Sequence, residues 1–576
     1  MKKRLERVIS SLLAVLMLVM FICGCQKSGN GGDDTTVGTT PETTVSPTTS
    51  TDTQNPPEVS GSEAELKTGI YTWLSNAYTK NDTREYIPKE RPVSTIVHMA
   101  KNETEGVHVS FTSEKRKNGL SFRVNNEYDG ITVELFREYA INANGEDHPD
   151  ALAPFNGTVR FSNNEVRSLL VNFKTTAETK AGDYEYELQL LDKDEVLHTY
   201  NVTVRVYDIT YPEKPTLETA FGIELRSIAF SHGIINSLPN PYVPTQEEFE
   251  AIEEIYLKYY EYMLDHKIAP MQLPYDILDP RADKYMSDPR QTTFNVPSNV
   301  DDETLAAIYA KLKSNPEWLE KAYIYPVDEP TNKAHLDMMI EQYERYQRIC
   351  PDIKMATSFF VNVNYDSSKD QLQVMGEILD ILCSKISNWN EKEIGWGLGI
   401  GKHPTLGTFA ERMHKLKAEG KTIWSYVCWE PQDPYLNLLL TDDGLDYRLL
   451  FWQQYSLGTT GFLYWSVNCY GHCRDPWATQ VSWLSDKIHG DGILLYPGSK
   501  LNIDGPVGSI RFEACRDGVE DNEILTLAEE LLGYDYVSGK IGKVITDIVT
   551  YTDSEELFES VRAEILADVE KALKNK

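Results

Sequence analysis

The feature that most constrains the fold is a change of hydrophobic period near Pro212. Before it, apolar side chains alternate with polar ones, as at Val107, Val109 and Phe111. Because successive side chains of a strand face opposite ways, this period indicates half-buried strands. Asp-Gly and Asn-Gly turn signals separate the runs, and no long helical pattern interrupts them. The sequence therefore predicts an N-terminal β-sandwich domain over residues 65–213.

Over residues 214–535 short apolar strands alternate with helical patterns. One helix is predicted after Thr245 and Glu248, which are spaced as a capping box. Residues 268–273, 323–327 and several later apolar runs are strand candidates. This alternation favours a parallel sheet closed into a (β/α)8 TIM-type barrel, the catalytic domain, with an open doubly wound sheet as the alternative. Residues 536–576 are predicted to form a helical C-terminal extension.

The N-terminus has the pattern of an export signal. Basic residues precede an almost wholly apolar stretch over residues 8–22, and a small residue stands directly before Cys25. That arrangement resembles the bacterial lipobox, so residues 1–24 are predicted to be a lipoprotein signal peptide and Cys25 to be acylated; a plain transmembrane anchor is the alternative. Residues 25–64 are rich in Thr, Pro and Ser and are predicted to be a disordered tether. We expect a lipid-anchored protein on the extracytoplasmic face of the cell membrane.

The charge balance argues against one class of partner. The chain has 56 basic and 88 acidic side chains and a formal net charge of -32. Such a surface repels phosphate backbones, so nucleic-acid binding is not expected. Contact with the membrane is expected through the lipid anchor only.

The cysteines do not indicate a metal site. Of eight cysteines, six remain after Cys23 and Cys25 are set aside. The stretch Cys469-Tyr470-Gly471-His472-Cys473 lacks a second ligand pair at a recognisable spacing. A disulfide or two free thiols therefore explain these cysteines more simply than a metal site does. The glycine-rich residues 395–402 do not have the spacing of a phosphate-binding loop. We predict neither a metal nor a cofactor.

Two adjacent acids follow one of the predicted strands. Residues 323–327 run directly into Asp328 and Glu329. Neighbouring carboxylates repel each other, which raises the pKa of one of them, and a raised pKa is what a general acid needs near neutrality. Active sites of barrels lie where strands end, so the pair is a candidate catalytic site. The alternative is that these acids cap the helix that follows.

Other predicted strand ends carry aromatic and amide side chains. They are Tyr275, Trp429, Trp465 and Asn468. Carboxylates, amides and indoles that converge from several strands are the components of a sugar pocket, although each residue alone could belong to the core or the rim. Trp452 is assigned to the core.

At this point the sequence resembles a known family. The motif Tyr325-Pro326-Val327-Asp328-Glu329-Pro330 is similar to the catalytic block of glycoside hydrolase family 123, the β-N-acetylgalactosaminidases, and of the broader uncharacterised grouping that contains it. Two later blocks agree, one over residues 461–477 and one over residues 490–521. The resemblance covers roughly residues 65–530, and it is more specific for the grouping than for the substrate.

The resemblance implies a substrate-assisted, retaining mechanism. The acetamido oxygen of the sugar would attack its own anomeric carbon while Asp328 holds the acetamido nitrogen. Glu329 would protonate the leaving oxygen and then deprotonate the incoming water. Some charged side chains in the block over residues 490–521 are more simply explained as a structural ion-pair network. They are Arg511, Glu513, Arg516 and Asp517.

The function predicted from the sequence is a surface-anchored glycosidase that removes terminal β-linked N-acetylhexosamine, in particular N-acetylgalactosamine, from a glycan or glycoconjugate. One alternative is a glycosidase of the same fold that acts on another sugar. The other is a carbohydrate-binding lipoprotein without catalytic activity. The pair formed by Asp328 and Glu329 favours an enzyme, because a binding protein gains nothing from keeping two like charges together.

Overall fold

A computed structural model describes residues 62–576, apart from residues 85, 156, 240, 361, 391–406 and 483. The predicted signal peptide, Cys25 and almost all of the predicted tether lie outside the described residues. So does the whole glycine-rich stretch over residues 395–402.

Two antiparallel-rich sheets form the first part of the molecule. Their strands are β1 Tyr71–Asn76, β2 Ser94–Lys101, β3 Thr104–Thr112, β4 Lys117–Asn125, β5 Ile131–Ala143, β6 Glu146–Pro154, β7 Val159–Phe161, β8 Arg167–Thr175, β9 Gly182–Asp192 and β10 Glu195–Thr210. One sheet has the order β2-β10-β9-β4-β7, and the other contains β1-β3-β8-β5-β6. Buried side chains of both sheets, such as Val109 and Phe111 on β3 and Val204 on β10, belong to one apolar core. The alternation of period two thus produces two layers around a shared core.

The second of these sheets extends beyond the first 213 residues. It is continued by β18 (Tyr496–Pro497) and β19 (Pro506–Ser509), so that seven strands lie side by side. Ser509 is paired with Ala151 and Gly508 with Leu152. The sequence did not predict this connection, because strands of two and four residues that contain Pro and Gly carry almost no alternation signal.

A parallel sheet of seven strands forms a nearly closed barrel in the second part. Its strands are β11 Glu218–Phe221, β12 Phe294–Val296, β13 Ala322–Ile324, β14 Lys354–Phe359, β15 Ile381–Lys385, β16 Thr422–Tyr426 and β17 Gly461–Tyr464. The order is β11-β17-β16-β15-β14-β13-β12, and every neighbouring pair is parallel. The open doubly wound alternative is therefore wrong, because that arrangement would not curve the sheet round on itself.

The predicted strand over residues 268–273 lies in the gap between β11 and β12. Phe221 donates its N–H to the carbonyl of Ala269 (3.0 Å), and Met271 donates to the carbonyl of Phe221 (2.7 Å). On the other side, Asn295 donates to the carbonyl of Met271 (2.8 Å). Pro270 has no N–H to donate, so the segment forms bridges rather than a regular strand. A barrel of eight regular strands is thus not confirmed.

The helices lie around the barrel and continue to the C-terminus, except for the first, which packs against β10 of the first part. They are α1 Glu63–Thr68, α2 Leu225–Ser231, α3 Gln246–Asp265, α4 Ala282–Met286, α5 Asp302–Lys313, α6 Pro316–Lys321, α7 Lys333–Ile349, α8 Gln371–Ile378, α9 Phe409–Ala418, α10 Gly444–Leu457, α11 Ile510–Leu532, α12 Tyr534–Ile541 and α13 Glu555–Lys574, with a hairpin of β20 Ile545–Asp547 and β21 Thr550–Tyr551 between the last two. The predicted capping box of α3 is present, with Thr245 and Glu248 each accepting the other's backbone N–H. Among the described residues, no helix has both the length and the apolar character needed to span a bilayer.

The C-terminal helix α13 packs against α11 and against β10 and β2 of the first part. Its buried Arg562 forms ion pairs with Glu103, Glu105 and Asp521. The four charged residues predicted to be structural are buried in the same way: Arg511 pairs with Asp150, and Arg516 pairs with both Glu513 and Asp517. The prediction of a structural ion-pair network is confirmed, and this network joins the barrel region to the first two sheets.

Candidate active site

The interior of the barrel is filled by side chains from alternate strand positions. Ala220, Tyr323, Ala356, Ile381, Trp424 and Leu463, one from each of six strands, belong to one buried cluster. The rings of Tyr323 and Trp424 meet edge to face at 5.4 Å. The next inward positions, two residues further along their strands, are Tyr325 and Tyr426, which also belong to the cluster. These two tyrosines place their hydroxyl groups at the carboxyl end of the barrel.

Asp328 and Glu329 lie at that end, after the three residues that follow β13. Glu329 has a φ of 42°, in the left-handed region that side chains other than glycine rarely adopt. Such conformations cost about 1–3 kcal/mol and concentrate at functional sites. The turn breaks the strand geometry in which consecutive side chains point apart. Both acids are half-buried, so neither is sealed inside the protein.

Asp328 is held by two neutral hydroxyl groups. The hydroxyl of Tyr325 donates to Oδ1 of Asp328 (2.6 Å), and that of Ser358, at the end of β14, donates to the same oxygen (2.9 Å). Burial raises the pKa of Asp328 above its ordinary value, although both hydrogen bonds act in the opposite direction. The sequence analysis missed Tyr325 as a contact residue, and also missed Ser358. Continuing the inward alternation to the last residue of each strand would have found both.

Glu329 is held by the hydroxyl of Tyr426, which donates to its Oε1. Burial, followed by the negative charge of Asp328, raises the pKa of Glu329 from its ordinary value of 4.5 to about 7. The hydrogen bond from Tyr426 and the positive charge of Lys385 oppose this shift. Lys385 itself is paired with Glu430 at 3.1 Å. A carboxyl group with this pKa can both donate and accept a proton near neutrality.

The helix-capping alternative for the two acids is wrong. The helix that follows is α7, and its cap is Asn332, whose side chain accepts the backbone N–H of His335 at 3.1 Å. Asp328 and Glu329 therefore remain available for another role.

Trp465 forms one wall of the barrel mouth. Its indole N–H donates to Oδ1 of the buried Asp491 (2.8 Å), and the ring remains half-buried. Gly492 has a φ of 71°, and a Cβ there would lie 2.3 Å from Cζ2 of Trp465. Burial raises the pKa of the Cys428 thiol, and the charges of Asp491 and Glu329 raise it further. Asp491, which holds Trp465, and Glu329 are thus both close enough to Cys428 for their charges to act on its thiol.

The structure corrects the prediction that Asn468 contacts a sugar. Its Oδ1 accepts the backbone N–H of Glu224 (2.7 Å), and its Nδ2 donates to the carbonyl of Glu224 (3.1 Å). The side chain is fully buried, with both polar groups occupied. Asn468 therefore positions the chain after β11 and does not contact a sugar.

Tyr275 and Trp429 lie at the same end of the barrel on different sides. Tyr275 is half-buried; its hydroxyl donates to Glu253 (2.7 Å), and the guanidinium of Arg281 lies 4.1 Å from its ring centre. Trp429 is half-buried directly after β16. No described contact joins either residue to the acids. Trp452, assigned to the core, is fully buried and donates its indole N–H to Asp521 (2.9 Å).

A third acid, Glu224, was missed by the sequence analysis. It follows β11 and is buried, and it accepts hydrogen bonds from the guanidinium of Arg226 and from Oγ of Ser227 (2.7 Å). Only a strand of four residues precedes it, so the sequence offered little to mark this position as a strand end.

Two further groups have the residue types of metal ligands. Cys469 and Cys473 are free thiols, so of the two alternatives for this pair the disulfide is wrong. Glu103, Glu105 and Asp521 are the only cluster among the described residues whose carboxylates approach one another as metal ligands would. Arg448 and Arg562 occupy these carboxylates, so the cluster is explained by its ion pairs.

Comparison with known families identifies the domain. Residues 297–528 match the family model described as the catalytic domain of glycoside hydrolase 123. The chain carries a family 123 glycoside hydrolase domain. The predicted family is thereby confirmed, and the protein is a glycoside hydrolase whose acid pair falls inside the matched residues.

One solved structure agrees with this fold. A family 123 glycoside hydrolase from Clostridium perfringens, described in connection with glycolipid glycan hydrolysis, has a TM-score of 0.62 at 12% identity over 88% of this chain and 98% of that chain. A Ruminococcus gnavus β-glucuronidase has a TM-score of 0.28 at 11% identity, over 73% of this chain and 66% of that chain. A family 39 glycoside hydrolase from Bacteroides cellulosilyticus has a TM-score of 0.27 at 12% identity, over 74% and 81%. No match was found among curated proteins.

Proposed function

We propose that this glycoside hydrolase removes terminal β-linked N-acetylhexosamine, in particular N-acetylgalactosamine, by a substrate-assisted retaining mechanism. The observation that carries the proposal is the adjacent pair Asp328 and Glu329, each held at the barrel mouth by a tyrosine hydroxyl. Most retaining glycosidases need two separated carboxyl groups, one of them a nucleophile. Consecutive acids suit a reaction in which the substrate supplies its own nucleophile.

In the first step, the acetamido oxygen attacks the anomeric carbon and forms an oxazolinium ring as the glycosidic bond breaks. Glu329, protonated below a pH of about 7, gives its proton to the departing oxygen. Asp328, as a carboxylate, accepts the acetamido N–H, which orients the amide and stabilises its developing positive charge. The hydroxyls of Tyr325 and Ser358 hold the Asp328 carboxylate in place.

In the second step, Glu329 is a carboxylate and takes a proton from water. The water oxygen attacks the anomeric carbon from the face that the leaving group occupied, and the oxazolinium ring reopens. The anomeric configuration is therefore retained, and the acetamido group and both acids return to their initial states.

The choice of sugar is supported by the family and by one structural relative. The Clostridium perfringens enzyme is described as acting on the glycans of glycolipids. Glycolipid glycans are therefore the first substrates to test, and β-glycosides without an acetamido group are the control, because they cannot supply the nucleophile.

We also propose the finer architecture predicted from the sequence. The two layered sheets correspond to the β-sandwich, and residues 269–271 take the place of the eighth strand in a (β/α)8 barrel. The hydrogen bonds of Phe221, Met271 and Asn295 support this description.

The proposed location is the extracytoplasmic face of the membrane, with a lipid on Cys25. It is supported by the basic start, the apolar stretch and the residue pattern before that cysteine. Expression of the full chain with a labelled fatty acid tests it: the label should enter the wild type and be absent from Cys25→Ser. Equal labelling of both proteins would contradict the anchor.

The enzymatic proposal is tested with a chromogenic β-N-acetylgalactosaminide. The wild type should release the chromophore, and Glu329→Gln should lose about 10²–10⁴-fold in kcat, the usual contribution of general acid catalysis. Glu344→Gln, on the exposed side of α7, is the matched control and should retain full activity. Wild-type protein that binds a panel of sugars but hydrolyses none of them would instead favour the non-catalytic alternative.

A further inference from the structure

A groove opens between helix α3 and the segments that follow the strands on that side of the barrel. Its polar lining includes Glu224, Arg226, Gln272, Tyr275 and Asn295, and four further charged side chains also line it: Glu253, Asp276, Asp279 and Arg281. We call it the side groove. Asn295 on β12 is paired in register with Tyr323 on β13, the strand that leads to the acids. The side groove and the acid pair therefore occupy adjacent sectors of the same barrel end.

Two buried oxygens in the side groove have no hydrogen-bond donor. Oε1 of Gln272 and Oδ1 of Asn295 receive no hydrogen bond from any described residue. Gln272 is only 9% exposed. Buried acceptors of this kind are nearly always satisfied in proteins, because leaving one unpaired costs about 1–3 kcal/mol. Neither oxygen is exposed to solvent in this structure, so a ligand that donates O–H groups reaches them once the two amide side chains turn toward the side groove.

The rest of the side groove suits the body of a sugar ring. Leu273, Pro274 and Tyr275 present apolar and aromatic surface to it. The Tyr275 ring is fixed by its hydrogen bond to Glu253 and by the guanidinium of Arg281 on one side. A ring with C–H groups on its faces and hydroxyls on its edge matches a lining of this composition.

The side groove is separate from the place where the bond breaks. Its lining includes neither acid and none of the residues that hold them, namely Tyr325, Ser358 and Tyr426. A terminal sugar positioned over Asp328 and Glu329 therefore leaves this space for another unit of the same glycan.

We propose that the side groove is a second sugar subsite, which binds the sugar unit adjoining the cleaved N-acetylhexosamine through the amide oxygens of Gln272 and Asn295. The inference rests on the proposed function and extends it: the preferred substrate is an oligosaccharide rather than a simple glycoside. Glu224 and Arg226 form a buried ion pair that fixes the floor of this subsite.

The test compares two substrates in the full-length enzyme. One is a chromogenic β-N-acetylgalactosaminide, which has a single sugar, and the other is a set of regioisomeric disaccharides in which β-N-acetylgalactosamine is linked to a neutral hexose, either glucose or galactose. For the best disaccharide, Gln272→Met should raise KM about five- to ten-fold through the loss of one hydrogen bond. Its KM for the single sugar should not change. Asn295→Leu should raise KM for the disaccharide in the same way. Gln272→Glu keeps an acceptor oxygen, so its KM for the disaccharide should stay close to that of the wild type.

The control variant is Gln246→Met, the same exchange on the exposed first turn of α3, which should alter neither KM. Thermal unfolding of Gln272→Met should match the wild type, because no described group donates to the lost oxygen. An equal rise in KM for both substrates, an unchanged KM for the disaccharide, or a drop in unfolding temperature overturns the subsite. A wild type that hydrolyses neither substrate overturns the proposed function instead, so the two failures are distinguishable.

Discussion

Asp328 at the barrel mouth and Asp521 in the ion-pair network are the same residue type in different surroundings. Asp521 receives the guanidinium groups of Arg448 (2.6 Å) and Arg562 (2.7 Å), and these charges lower its pKa. Asp328 receives two hydroxyls and no positive charge, and burial raises its pKa. Both side chains accept good hydrogen bonds, so hydrogen bonding alone does not separate them.

The difference shows that the charge of the partner decides what a buried acid can do. The two guanidinium groups around Asp521 favour its charged form and make it part of the structure. Neutral hydroxyls fix the position of Asp328 without adding a positive charge, so burial keeps its pKa above the ordinary value. The network joins the two parts of the molecule, whereas the barrel mouth is available for proton transfer.

The largest predicted effect on activity, besides that of Glu329→Gln, is that of Asp328→Asn. The neutral amide cannot stabilise the positive charge that develops on the acetamido group, so kcat should fall about 10²–10³-fold. The unfolding temperature should be unchanged or higher, because no guanidinium loses a partner. Asp337→Asn, on the exposed face of α7, is the matched control. If Asp328→Asn retained activity or lost much of its stability, the stated difference between Asp328 and Asp521 would be contradicted.

The corresponding change in the network is Asp521→Asn. It removes the charge that Arg448 and Arg562 share, and breaking a buried ion pair in this way costs about 3–5 kcal/mol. Chemical denaturation should therefore show a large loss in the free energy of unfolding. At temperatures where the variant remains folded, KM for the chromogenic substrate should stay close to that of the wild type. A stable variant with altered KM would contradict a purely structural role.

A smaller effect is predicted for Tyr426→Phe on the pH profile. Glu329 acts as an acid only while protonated, so kcat/KM should decline as the pH rises through about 7. The Tyr426 hydrogen bond lowers the pKa of Glu329, so its removal should move this decline to higher pH. Tyr323→Phe is the control, because its buried hydroxyl lies one layer lower and has no described partner. A shift to lower pH in Tyr426→Phe would contradict the assignment.

The smallest effect concerns Asp491, which fixes Trp465. Burial raises the pKa of Asp491 from 3.8 to about 7 in the folded protein. The folded protein therefore binds this proton more tightly than the unfolded chain does. The resulting stabilisation is complete below about pH 4 and is lost as the pH rises through 7. Asn at this position can still accept from Trp465 and does not titrate. Relative to the wild type, Asp491→Asn should therefore gain stability between pH 4 and 7, by up to a few kcal/mol. Thermal unfolding measured across this range checks the trend, and a pH-independent difference would contradict it.

The sequence predicted the parts of this structure that depend on local patterns. The alternation of period two predicted the strands of the first part, and the apolar run before Asp328 placed both acids at a strand end. It could not predict that β19 joins the first part, because four residues carry no periodic signal. It also misassigned Asn468, since the role of an amide depends on what a distant segment, here Glu224, presents to it.

The central claim is that Glu329 exchanges its proton near neutrality because burial and Asp328 hold its carboxyl group in the acid form. Infrared difference spectra between the wild type and Glu329→Gln measure this directly through the carbonyl stretch of the protonated carboxyl group. The band should titrate with a midpoint of about pH 7 in the free enzyme. A midpoint near the ordinary value of 4.5 would contradict the account, because Glu329 would then be ionised when it is required to donate its proton.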